Sequence, residues 1–134
     1  MNYYVLIENF VYLAEDVLTP TSYKYLEIGI SIGTVSCVQL VLNDNCGNQI
    51  VLPFETWKSL MQKRADIERL LQTSQSPLPI QDLTIKVIKI SDSDIIKMTL
   101  YNNSLYMNPS TLINLFDFEK CVEHVIDYAK IRIL

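Results

Sequence analysis

Glycine is scarce in this sequence, with three residues in 134, and no glycine-rich loop that would cradle a phosphate is present. The three cysteines, Cys37, Cys46 and Cys121, form no CxxC pair and are odd in number, which fits a reducing compartment with buried or incidental thiols. Histidine occurs once, at His124, without an HExxH pattern or Cys-His ligand spacing, so metal or general-base chemistry has no visible seat there. No serine or cysteine stands in a nucleophile-elbow context. Asp92 and Asp94 form a DxD in a tight turn, with no third carboxylate nearby in sequence. Asn43-Asp44-Asn45 imitates a calcium loop, but Gln49 falls where such a loop needs glycine. The chain therefore reads as a non-enzyme without a cofactor.

Long apolar runs are missing too. Val35–Leu42 is broken by Gln39 and falls well short of a membrane span. Met1–Leu13 carries no early Lys or Arg, is interrupted by Glu8 and lacks a small-residue cleavage site, so it makes a poor signal peptide. An intracellular protein, nuclear or cytoplasmic, is expected. Hydrophobic residues at 49% against 19% charged exclude disorder. Eleven Lys and Arg against 15 Asp and Glu give −4 at pH 7, which excludes a polybasic partner mode but leaves room for a local basic face.

The clearest boundary is the polar, proline-punctuated stretch from Thr73 to Pro79. Before it, Tyr23–Ile32 and Val35–Leu42 predict strands, with Leu26, Ile28, Ile30 and Ile32 on one face. Gln49–Leu52 predicts a short further strand, and Pro53 suits a helix start. Trp57, Leu60, Met61, Ile67 and Leu71 then follow helical spacing over 53–72. After the boundary the grammar recurs: strands at Leu83–Ile90, Ile95–Tyr101 and Ser104–Met107, Asn108 as a helix cap, and a helical stripe to about Lys130. An offset of 55 places Thr56 on Thr111, Trp57 on Leu112, Leu60 on Leu115, Ile67 on Val122 and Leu71 on Ile126. An offset of 59 sets Leu40–Asn43 against Thr99–Asn102. Such recurrence is the signature of an internal duplication.

The expected fold is α+β: two tandem antiparallel-sheet-plus-helix (ββββα-like) repeats packed as an intramolecular pseudo-dimer. The expected divisions are an N-terminal extension over 1–22 (an edge strand at Tyr3–Ile7 or a short acidic helix), repeats over 23–72 and 82–134, and a linker over 73–81. A unit of about 50 residues leaves an apolar sheet face that one helix cannot cover, so such units pair. The sheets' other faces recognise single-stranded nucleic acid when they carry Lys or Arg for phosphates and aromatics for bases.

The segment Gln49–Leu60 (QIVLPFETWKSL), followed by a helix ending Asp66-Ile67-Glu68-Arg69-Leu70-Leu71, resembles the end of the transcriptional positive cofactor four family. The resemblance covers residues 23–72 well and 82–130 more loosely. It implies two paired ββββα units that bind single-stranded or melted DNA along their strands, in transcription or replication. The outward residues of the first sheet, Tyr25, Glu27, Gly29 and Ser31, are nearly uncharged, so the cations gather on the second copy. There Lys86, Lys97 and Tyr101 are the principal expected contacts with single-stranded DNA, joined by Lys89; Lys24 and Tyr25 are secondary. A second expectation comes from the acidic last helix, with Asp117, Glu119, Glu123 and Asp127: a protein-interaction module or acidic inhibitor. Either way the chain is expected to act as a monomer with an internal pseudo-twofold or as a homodimer.

Overall fold

Alternation of apolar and polar residues sets the two sheets. In the computed structural model, residues 10–18, 24–31, 37–44, 46–73 and 76–132 are described, those at 10–17, 24, 25 and 31 by backbone alone. The first sheet holds β1 (Phe10–Val17), β2 (Lys24–Ser31), β3 (Cys37–Asp44) and β4 (Gln49–Pro53), each antiparallel to the next. Helices α1 (Phe54–Gln62) and α2 (Arg64–Thr73) follow. The second sheet holds β5 (Leu78–Ile80), β6 (Leu83–Ile90), β7 (Ser93–Leu100) and β8 (Asn103–Met107), again antiparallel in order, followed by α3 (Pro109–Phe116) and α4 (Glu119–Arg132). The architecture is thus α+β, with two antiparallel sheets and four helices among the described residues. None of those helices is long and apolar enough to cross a membrane.

Within the extension expected over 1–22, Phe10–Val17 forms an edge strand beside β2, and Tyr3–Ile7 lies outside the described residues. Two expectations need revision. The segment expected as linker contains β5, whose Pro79 sits opposite Thr84 on the sheet's edge, where a residue without an N–H is tolerated. Each expected single helix is two. At Lys63 the backbone N–H donates to Ser59 (3.1 Å) and Leu60 (3.2 Å), and the N–H groups of Asp117 and Phe118 donate to Asn114 (3.0 Å) and Leu115 (3.2 Å). This local tightening re-aims the apolar stripe without ending it.

The turns explain the register. Ile90↔Ser93 leaves Ser91 and Asp92 as a two-residue connection, with φ of 52° and 64°, which suits a primed hairpin turn. Between β3 and β4, Gly47 takes φ 90°, and the Asp44 carboxylate accepts from the backbone N–H of Cys46 and of Asn48, both at 2.9 Å. Asn108 stands where a cap was expected, but its carbonyl closes the turn by accepting from Thr111 (3.0 Å) and Leu112 (3.3 Å) while its side chain makes no cap bond.

One apolar core spans both sheets. Leu26, Ile28, Leu40, Leu42, Ile50 and Leu52 from the first join Leu83, Ile85, Ile96, Met98, Leu105 and Met107 from the second. Trp57 (1% exposed), Leu60, Ile67, Leu112, Leu115, Val122 and Ile126 close it from the helices. Edge strands β4 and β8 lie against each other, and α1, packed on β3 and β4, also reaches β5. Gln81, in the β5–β6 turn, bonds α1 twice: its Oε1 accepts from Thr56 at 3.1 Å and its Nε2 donates to Ser59 at 2.8 Å. Asn114 of α3 donates to the carbonyl of Leu18, just past β1, at 3.4 Å.

Candidate nucleic-acid interface

Since successive side chains of a strand point to opposite faces, burying Leu83, Ile85, Ile96, Met98, Leu105 and Met107 sends their neighbours out. Three cross-strand rows result on the second sheet. The middle row is Lys86–Lys97–Tyr106, with Lys86 directly opposite Lys97 and Lys97 directly opposite Tyr106. Lys86 is exposed, Tyr106 is 48% exposed, and the Lys97 ammonium lies 5.8 Å from the centre of the Tyr106 ring. One row away, Thr84, Thr99 and Ser104 form a hydroxyl line, with Thr99 and Ser104 hydrogen-bonded at 3.1 Å. On the other side Ile88 faces Ile95, both half-buried. No carboxylate stands in these rows.

Electrostatics single out the lysine pair. Like charges directly opposite each other on neighbouring strands destabilise a sheet. Here both are cations on the outward face, Lys86 exposed and Lys97 half-buried, a few ångströms apart at their Cβ atoms. An anion seated between them converts that repulsion into attraction.

Other expected contacts lie elsewhere. Lys89 alternates onto the opposite face from Lys86 and forms an ion pair with Asp94 at 3.3 Å. Tyr101 was expected on a strand. It occupies the β7–β8 turn at φ 54°, 72% exposed, and its hydroxyl donates to Asp82 at 2.9 Å. It lies four positions along the chain from Lys97, about 13 Å of extended strand. The proton on that phenol is held above the ordinary tyrosine range, first by the hydrogen bond to Asp82 and then by the same carboxylate's charge. Lys24 and Tyr25 pair with Asp44 and Asn43 in backbone register, and their side chains lie outside the described residues. Tyr106 was missed as a contact. Its signal was available: Leu105 and Met107 are apolar neighbours in a short strand, so the residue between them must face outward.

The first sheet offers a different surface. Its matching cross-strand row is Glu27–Val41–Val51. Val41, Asn43 and Gln49 are buried although they alternate away from the core-facing Leu40, Leu42 and Ile50. Asn43 donates to the Glu27 carboxylate and, at 3.2 Å, to the carbonyl of Val41. Desolvation raises the Glu27 carboxyl above its usual range, partly opposed by the Asn43 hydrogen bond.

A scan against protein-family models matched none, and neither the curated proteins nor the solved structures gave a match.

Proposed function

We propose that this chain is an internally duplicated sheet-and-helix module, similar to the positive cofactor four family, that binds single-stranded nucleic acid non-specifically through its second sheet. The duplication is supported by the arrangement of contacts between the halves. A twofold relation demands contacts that come in exchanged pairs. Ser59 bonds Gln81 next to β5, and Asn114, its counterpart at an offset of 55, bonds Leu18 next to β1. Arg64 lies over the Phe116 ring at 5.3 Å, while their counterparts Glu119 and Met61 share one groove. β4 meets its counterpart β8. The strand offset adopted from the sequence changes, because Leu40 is buried whereas Thr99 alternates outward; burial instead matches Leu40 with Ile96 and Leu42 with Met98.

The observation that carries the binding role is the open row Lys86–Lys97–Tyr106. Two cations for phosphate beside an exposed aromatic face are what a sequence-independent single-strand site requires. Fluorescence anisotropy with a labelled oligothymidylate over a salt series tests it. With two or three phosphates neutralised, log Kobs falls against log salt with a slope of roughly −1.4 to −2. A flat curve at low salt ends the reading.

A second reading, a protein-interaction module, is favoured by one groove. It holds about 160 Å³ between α1 and α4, with Phe54, Trp57, Lys58, Met61 and Gln62 on one wall and Glu119 and Glu123 on the other. Capture of a basic protein, lost on neutralising Glu119 and Glu123, would support it.

A further inference from the structure

We infer that one chain holds one nucleic-acid strand, laid across β6, β7 and β8 of the second sheet, and cannot hold the two strands of a melted duplex at once. The inference rests on the nucleic-acid reading above and concerns what that site accepts. A duplicated module with two equal faces would offer two equivalent grooves. These two faces are not equal. Aligning the buried positions of the sheets sets Lys86 against Glu27, Lys97 against Val41 and Tyr106 against Val51. Both phosphate-seeking cations and the stacking ring are therefore replaced, one of them by a carboxylate. Val41 is also buried and the Glu27 carboxylate is engaged by Asn43, so that row offers a polyanion neither a cation nor access. Among the described side chains of that face no Lys or Arg occurs.

The geometry of the open face fixes how a strand lies. Neighbouring β-strands stand about 4.8 Å apart, so Lys86 and Tyr106 are about 10 Å apart across the sheet. The register sets Lys86 directly opposite Lys97, within reach of one phosphate, and the hydroxyls of Thr84, Thr99 and Ser104 extend the polar side of the row. Tyr106 and the half-buried Ile88 and Ile95 supply apolar surface on which bases rest.

The test is a stoichiometric titration of the full chain with a fluorescent oligothymidylate of about 8 nucleotides, a length suited to one small sheet face. The protein is held at low salt, well above the dissociation constant. The expected equivalence point is one oligonucleotide per chain, and the double variant Lys86→Glu, Lys97→Glu should weaken binding by more than tenfold with an unchanged circular dichroism spectrum. Equivalence at two oligonucleotides per chain overturns the single-strand inference and leaves the nucleic-acid function standing. One oligonucleotide per two chains overturns it as well, by placing the site between copies. Equivalence at one with full binding by the double variant overturns the location. An absence of saturable binding removes the function and the inference together.

Discussion

Replacing Lys86 by glutamate reverses one member of a pair of cations that face each other across β6 and β7. The substitution removes a like-charge repulsion and installs an opposite-charge pair, and each such cross-strand effect amounts to about 0.2–1 kcal/mol. Lys86 is exposed, so solvent screening keeps the sum near the low end, about 0.5 kcal/mol in favour of the variant. For a chain of this length that raises the thermal midpoint by roughly 1–3 °C. The gain should shrink as salt rises, because the Debye length falls from about 30 Å at 0.01 M to about 10 Å at 0.1 M. Binding should move the opposite way. One cation is lost from the proposed phosphate site and an anion is gained, so affinity for oligothymidylate at low salt should drop about tenfold or more, with a shallower salt slope. Thermal unfolding followed by circular dichroism and anisotropy on the same preparation read both quantities. A variant that is no more stable than the parent at low salt, or that binds equally well, refutes the idea that the pair is held in repulsion for a ligand.

Trp57→Ala should cost about 3–5 kcal/mol, since this indole is almost fully buried at the start of α1; urea unfolding followed by circular dichroism checks it, and a loss below about 1 kcal/mol would contradict the packing. Glu27 should make stability depend on pH. Its folded carboxyl binds a proton more readily than the unfolded one, so its contribution is fully present below the ordinary carboxylate range and is lost as pH rises through the raised folded value. Glu27→Gln keeps an acceptor for Asn43 and should be more stable than the parent at neutral pH, with no advantage in acid; a constant difference across pH would refute the assignment. Asp82→Asn should bring the Tyr101 phenol back towards the ordinary tyrosine range, seen as a shift in the absorbance titration that Tyr101→Phe abolishes.

Much of the fold was legible because burial here obeys simple periods. Leu26, Ile28 and Ile30 alternate, and all three are buried. Trp57, Leu60 and Ile67, and likewise Leu112, Leu115 and Val122, recur at helical spacing, and all are buried. What escaped depends on hydrogen bonds that hydrophobic period does not encode. The helix breaks at Lys63 and at Asp117–Phe118 shift the backbone by a fraction of a turn and leave the stripe running. β5 was hidden by Pro79, a residue that argues against strands except at an edge. The candidate site was half legible. Alternation placed Lys86 and Lys97 outward, but only the register of β7 against β8 puts Tyr106 beside Lys97 and moves Tyr101 into the turn.

Backbone amide shifts recorded while unlabelled oligothymidylate is added at low salt test the central claim most directly. Perturbations concentrated on β6, β7 and β8 around Lys86, Lys97, Tyr106, Ile88 and Ile95, reversed by added salt, are expected. A spectrum that does not move, or one whose changes gather on α1 and α4, would contradict it.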